Sequence, residues 1–188
     1  MKNVFAEMFN RKASDPKNKP DKIIEAISLK PGQNIADMGS GGGYFSLRFA
    51  KIVGEEGKVY AVDTNSHLLD FVKKSAKVKG LDNVIPITAS GDSLDIPEKS
   101  LDFIFMRNVT HHLKNRTKYF EDLKKYLKSE GKIIVIEYSQ GKLFSFQGIF
   151  GHYVLKEIIQ QELKKAGYIF KKKFDFLPDQ HFTIYSKS

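Results

Sequence analysis

The chain has 188 residues, a formal charge of +9 and no cysteine, which suits one domain, excludes disulfides, thiolate metal sites and cysteine nucleophiles, and makes a reducing cytoplasm the expected compartment. A hydrophobic fraction of 41% with 15 Phe and 8 Tyr is enough for one sizeable core. No apolar run approaches the roughly 18 residues that span a bilayer, so no stable membrane insertion is expected, and Met1-Lys2-Asn3-Val4-Phe5-Ala6-Glu7 lacks the apolar stretch of a secretory signal.

In chain order, Phe5, Met8 and Phe9 fall at helical spacing and predict a short amphipathic helix. A polar, proline-bounded stretch from Ser14 to Pro20 reads as a flexible connection, so residues 1–19 form a helix and linker, a candidate cap, ahead of one domain over 20–188. Pro20 to Ile27 predicts a helix that stops near Pro31-Gly32. Asn34 to Met38 is a strand signal and Tyr44 to Ala50 a helix with one buried face. Lys58 to Val62 predicts a second strand ending on Asp63, and Ser66 to Lys79 its helix, capped by Gly80. Val84 to Thr88, Asp102 to Met106 and Lys132 to Ile136 are the next strands, with helices over Arg116 to Leu127 and Val154 to Ala166. Strands over Tyr168 to Phe176 and His181 to Tyr185 have only Leu177-Pro178-Asp179-Gln180 around their turn. A parallel return needs a crossover, so these must form an antiparallel hairpin. The alternation of strand and helix predicts an α/β fold, a mostly parallel sheet with helices on both faces.

Between the first strand and its helix lies Asp37-Met38-Gly39-Ser40-Gly41-Gly42-Gly43. Glycines there let the backbone turn tightly and approach a ligand, at the carboxyl end of a strand, where open α/β sheets bind small molecules. A dinucleotide fingerprint wants Gly-x-Gly-x-x-Gly, but reading from Gly39 the third glycine position is Tyr44. Acids also fall at successive strand ends. Asp63, about 20 residues beyond the loop, stands where a carboxylate can accept from both hydroxyls of a ribose. Asp92, in Gly91-Asp92-Ser93, can accept from an adenine amino group. Asp37 can stabilise an ammonium directly or through water by a charge-assisted bond.

The ordered set Asp37 to Gly43, Val59 to Asp63, Gly91-Asp92-Ser93, Leu101 to Phe105 and Leu127 to Ile136 resembles the class I S-adenosylmethionine (SAM) dependent methyltransferases. The likeness runs from Leu29-Lys30-Pro31-Gly32 through the last hairpin, and its closest flavour is the small-molecule branch akin to the ubiquinone and menaquinone biosynthesis enzymes. It implies a Rossmann-like three-layer αβα sandwich whose seven-stranded sheet has its last strand antiparallel. It also implies SAM as methyl donor, with S-adenosylhomocysteine as product, held by Asp37, Gly39, Ser40, Gly41, Gly43, Asp63, Thr64, Gly91, Asp92, Ser93 and Asn108. The motif that grips an exocyclic amine in amino-directed nucleic-acid methyltransferases, an Asn or Asp, two prolines and an aromatic, is absent from Arg107-Asn108-Val109-Thr110-His111-His112-Leu113.

His111 and His112 are candidate catalytic bases, since an imidazole titrates near neutrality and general-base catalysis is worth roughly 10²- to 10⁴-fold. A pocket-shaping role is the alternative, and a metal site from two adjacent histidines is not expected. Glu137 to Tyr153 carries aromatics that would form a lid over an apolar or planar acceptor, or pack into the core. The positive charge raises the question of RNA, supported by Lys171-Lys172-Lys173, but most lysines fall at helix-surface spacing. A small, partly apolar acceptor is therefore expected over nucleic acid. A non-catalytic SAM-binding protein is the remaining alternative.

Overall fold

The computed structural model describes residues 3–89, 93–139 and 153–188. Its chain divides into two units, Met1–Ile96 and Pro97–Ser188.

In the first unit, helix α1 (Val4–Ser14) begins where the Asn3 side chain accepts from the Ala6 amide at 3.1 Å, satisfying one of the donors a helix start leaves open. It buries Ala6 and leaves Val4, Phe5, Met8 and Phe9 exposed, so the apolar stripe that predicts the helix is not its packed face. Where a flexible connection is expected, Pro16–Asn18 forms a 3-10 turn held by the Asp15 side chain, which accepts from the Lys17 amide at 2.9 Å. Asn18 then donates back to the Lys12 carbonyl at 2.6 Å. Helix α2 (Pro20–Ile27) buries Ile23, Ile24 and Ile27 and stops short of Pro31, because Ser28 takes a left-handed φ of 56° and its amide closes on the Glu25 carbonyl.

Strands β1 (Ile35–Met38), β2 (Val59–Asp63) and β3 (Val84–Thr88) pair in parallel, in the register Asp37↔Ala61↔Pro86. Strand β1 and the first four residues of β2 are wholly buried, which is why both read as unbroken apolar runs apart from one acid. Pro86 is tolerated because β3 lies at the edge of the sheet. Helices α3 (Tyr44–Val53) and α4 (Ser66–Val78) make the crossovers. The former buries Phe45, Leu47, Phe49, Ala50 and Val53, the latter Leu68, Leu69, Val72 and Ala76.

The second unit contains β4 (Leu101–Arg107), α5 (Arg116–Leu123), β5 (Leu127–Tyr138), α6 (Lys156–Lys165), β6 (Tyr168–Phe174) and β7 (Gln180–Lys187). Helix α5 ends at Leu123 rather than Leu127, because Lys124–Tyr126 tightens into a 3-10 turn and Leu127 is drawn into the sheet opposite Leu101. Strand β5 therefore starts at Leu127, not Lys132. Helix α6 starts two residues later than expected, at Lys156, with Leu155 in an extended conformation before it. Strands β4 and β5 are parallel, whereas β7 runs antiparallel to both β5 and β6, so the hairpin is as the sequence predicts. The seven strands form one sheet in the order β3-β2-β1-β4-β5-β7-β6. Among the described residues, no helix is long and apolar enough to cross a membrane.

Candidate functional site

In the first unit, the chain leaving β1 is hung on the end of β2, because the amides of Gly39 and Ser40 both donate to the Val62 carbonyl, at 2.8 and 2.9 Å. Gly39, Gly41 and Gly43 take φ values of 72°, 53° and 80°, a region in which a Cβ is strained. The loop then closes on Asp63. Its Oδ2 accepts from the Gly41 amide at 2.9 Å and its Oδ1 from the Asn65 amide at 3.0 Å. Gly43 has a second constraint, since a Cβ there would lie 2.8 Å from Val72 Cγ2 on α4. Asp37 is buried, and its Oδ2 accepts from the Ser46 hydroxyl at 2.6 Å, which ties the end of β1 to α3.

An adenosyl ligand fits these groups. Ser40 Oγ is buried with no hydrogen-bond partner among the described residues, a deficit that a polar ligand atom would relieve. Asp63 presents a carboxylate beside a loop of bare backbone. Thr64 is exposed next to it, and Ser93 is exposed further along. Gly91 and Asp92 lie outside the described residues, as do 140–152, most of the expected lid.

In the second unit, β4 ends at Arg107 and Asn108 follows with a left-handed φ of 56°, a conformation Asn tolerates better than most residues. Its amide donates to the Ile136 carbonyl at 2.8 Å, and its side-chain oxygen accepts from Gln180. The 3-10 turn Thr110–His112 then delivers two side chains to one carboxylate. Thr110 Oγ1 donates to Glu137 Oε2 at 2.6 Å, and His111 Nδ1 lies 3.0 Å from Glu137 Oε1. The amides of His111 and Tyr138 also reach this carboxylate, at 3.3 and 2.9 Å.

Glu137 is fully buried. Burial alone would raise its carboxyl, but hydrogen bonds from His111 and Thr110, the attraction of His111 and the Tyr138 amide together hold it below the ordinary carboxylate range. As an ionised carboxylate it only accepts, so Nδ1 of His111 carries the proton between them and the ring meets the carboxylate as a donor. The His112 ring lies against His111, centroids 4.0 Å apart, and is itself exposed. Of the two expected bases, His111 has the Glu137 carboxylate on its ring. Among the described residues, no group of three or more His, Asp or Glu is placed to hold a metal ion.

His111 also lines an open cavity of about 440 Å³ with Arg116, Tyr153, Val154, Leu155 and Ile158. Arg116 is fixed there by a two-point pair with Glu162, at 2.7 and 3.0 Å. The cavity wall thus mixes the apolar side chains of Val154, Leu155 and Ile158 with the polar groups of His111, Arg116 and Tyr153.

Glu137 is the residue that sequence reasoning missed, having placed it only at the start of the lid. Its signal was available: it is an acid near the carboxyl end of a strand, the position that singled out Asp37 and Asp63. Opposite it in the β5–β7 register sits His181, buried, with Nε2 donating to the Val154 carbonyl at 3.2 Å. Burial pushes the His181 pKa below its ordinary 6.5, more than the Val154 carbonyl and the nearby carboxylates of Glu137 and Glu157 restore. The unfolded chain then binds a proton that the folded chain refuses, so the His181 contribution is complete above pH 6.5 and lost as pH falls toward the lowered folded value. Melting temperature should accordingly drop as pH falls below 6.5, and His181→Gln should flatten that drop. An unchanged slope in the variant would assign it elsewhere. Glu137 adds its own loss only below its ordinary 4.5.

A model of the methyltransferase domain matches residues 29–177. The chain is 28% identical over 153 residues to the ubiquinone/menaquinone biosynthesis C-methyltransferase UbiE of Shewanella pealeana, covering 81% of this chain and 59% of that protein. It is 27% identical over 131 residues to the protein of the same name from Vibrio parahaemolyticus, covering 69% and 51%. The chain thus spans between half and three fifths of the length of these curated relatives. Among solved structures, a SAM-dependent methyltransferase from Aquifex aeolicus superposes with a TM-score of 0.88 over 97% of both chains at 22% identity. A phosphoethanolamine N-methyltransferase of Haemonchus contortus, in complex with SAM, superposes with a TM-score of 0.69 over 85% of this chain and 49% of its own, at 19% identity. At such identities the likeness bears on the fold, which is Rossmann-like and αβα, with seven strands and one of them antiparallel.

Proposed function

The chain belongs to the SAM-dependent methyltransferase family, and from that premise we propose that it methylates a small, partly apolar acceptor whose attacking atom gives its proton to His111. The observation that carries this reading is the His111–Glu137 pair. A buried carboxylate accepts from His111 Nδ1 and orients the ring, while His111 also lines an open cavity of mixed polar and apolar wall. An acceptor with an acidic O–H, N–H or C–H suits such a site. Glu137 would also stabilise the imidazolium that forms when Nε2 takes the proton.

When bound, SAM supplies a methyl group on a positively charged sulfur that is already a good leaving group. The glycine loop and Asp63 would hold it, with Ser40 Oγ gaining a partner. The chain's remaining work is to place the acceptor, remove its proton and keep water out. Placement dominates, since in-line attack wants the reacting atoms roughly 3 to 3.5 Å apart.

The relatives are named for carbon methylation in quinone biosynthesis, which agrees with a small acceptor that must lose a proton. Against RNA stands the position of Lys171, Lys172 and Lys173, exposed on β6 at the sheet's edge. Charged side chains there keep an unpaired strand from recruiting another, so the triple lysine has a structural account.

The test is transfer from methyl-labelled SAM into fractionated cell extract. Label is expected in a small-molecule fraction, and RNA retention is expected to fade near physiological salt while SAM affinity barely moves. Salt-resistant RNA binding with label in RNA would overturn the acceptor class. Tight SAM binding with no label in any fraction would favour a non-catalytic role.

A further inference from the structure

Helix α3 opens without a cap of its own. Its N-cap residue is Gly43, which has no side chain to accept from the first-turn amides. The missing partner comes from another helix. Asn10 on α1 accepts from the Tyr44 amide through Oδ1 at 3.1 Å and donates through Nδ2 to the Gly42 carbonyl at 2.8 Å. One amide side chain therefore spans Gly43 and satisfies a backbone group on either side of it.

The rest of α1 is built around the same contact. A Cβ at Gly42 would lie 2.2 Å from the Ala6 carbonyl oxygen and 2.5 Å from Asn10 Oδ1, so this glycine is required by α1. The Phe9 side chain lies 3.5 Å from the place a Gly41 Cβ would take. Asn3 Nδ2 donates to the His67 carbonyl at 3.0 Å, which fastens the start of α1 to α4. Helix α1 touches the loop at Gly41, Gly42 and Tyr44, with its small face turned inward.

We infer that Asn10 is a positioning residue for the cofactor loop, and that α1 is part of the SAM site rather than a separate cap. The inference rests on the reading that this loop holds SAM. Consecutive glycines have the widest backbone freedom of any residues. Left alone, Gly41 to Gly43 would have to be ordered each time a ligand bound, at a cost in affinity. Fixing the Gly42 carbonyl and the Tyr44 amide holds the loop in the shape in which the Gly41 amide already meets Asp63. Asn suits the position because both contacts are needed at once. Asp keeps the acceptor but loses the donor to Gly42, and Ala loses both.

The test compares Asn10→Ala, Asn10→Asp and Asn18→Ala by calorimetry with SAM and with S-adenosylhomocysteine, alongside melting without ligand and steady-state kinetics. Asn18→Ala is the control, since it removes a bond to the Lys12 carbonyl at the far end of the same helix. Asn10→Ala is expected to raise the Kd and the KM for SAM roughly 5- to 100-fold. Its kcat at saturating SAM should stay near wild type, its melting temperature should fall by about 1 to 8 °C for the lost cap, and Asn10→Asp should fall between. Should Asn10→Ala prove too unstable to measure, Asn10→Asp against the control decides. A Kd within about twofold of wild type for Asn10→Ala, or an equal rise in the Asn18→Ala control, would overturn the inference. Weakening by Asp63→Ala alone would leave the loop as the SAM site and remove only Asn10. If neither Asp63→Ala nor Asn10→Ala alters SAM binding, the loop reading itself fails.

Discussion

His111→Gln should lower kcat by about 10²- to 10⁴-fold, the usual worth of a positioned general base, while leaving SAM affinity unchanged, since the residues proposed to hold SAM are others. Glu137→Gln should come close to the same loss without removing the base. The wild-type carboxylate accepts from His111 Nδ1 and from Thr110 Oγ1, and a glutamine amide turned toward the ring would donate to Nδ1 instead. The proton would then move to Nε2, and the atom that must accept a proton would already carry one. Steady-state kinetics of both variants, with melting curves to confirm folding, are the measurements. An undiminished kcat in folded His111→Gln would end the general-base assignment.

The elements were legible wherever local pattern and tertiary pairing agree. Strand β3, Val84–Thr88, has the predicted bounds because a short apolar run between turn residues is also what pairs with β2. Where the two disagree, pattern loses. The first five residues of β5, Leu127-Lys128-Ser129-Glu130-Gly131, are strand only because Leu127 pairs with Leu101 across a register shift, and nothing in their polar composition signals it. The same pairing ends α5 early, although Phe120, Leu123 and Leu127 keep a helical spacing. On α1 the period is right and the face is wrong. Ala6 and Asn10 turn toward the glycine loop, where a Cβ at Gly42 would meet the Ala6 carbonyl and the Asn10 side chain, and Val4, Phe5, Met8 and Phe9 stay largely exposed.

The candidate site was legible in its glycine loop and in Asp63, which are local signals, and less so in its side-chain partnerships, which are not. Asp63 stands at the end of β2 in contact with the glycine loop, as an acid at a strand end is placed to do. Asp37, expected to face a ligand ammonium, has its Oδ2 on Ser46, nine residues away on a helix that turns back over the strand. The Asn108 side chain, expected at the cofactor, accepts from Gln180. His111 with Glu137 and Asn10 with Tyr44 are separated by 26 and 34 residues. A single sequence carries no trace of which distant polar groups meet, whereas glycine spacing follows from backbone geometry alone.

Asp63→Ala is expected to weaken SAM binding by roughly 1 to 3 kcal/mol, or about 5- to 150-fold. The size follows from how the carboxylate is already used. Each oxygen accepts one backbone amide, Gly41 on Oδ2 and Asn65 on Oδ1, and a carboxylate has about four acceptor sites. Two remain for a pair of ribose hydroxyls, so the ligand need displace nothing. The variant loses on both counts: the hydroxyls meet no charged acceptor, and the Gly41 amide no longer holds the loop closed. Asp63→Asn separates the two effects. Its one oxygen can keep the Gly41 bond, while its NH₂ and the Asn65 amide are both donors and that bond is lost, so the glycine loop should stay formed and the affinity should fall between Ala and wild type. Calorimetry with SAM on the three proteins, each shown to be folded, is the measurement. Wild-type affinity in Asp63→Ala would remove the ribose role, and equal losses in Asn and Ala would show that holding the loop adds nothing beyond the charge.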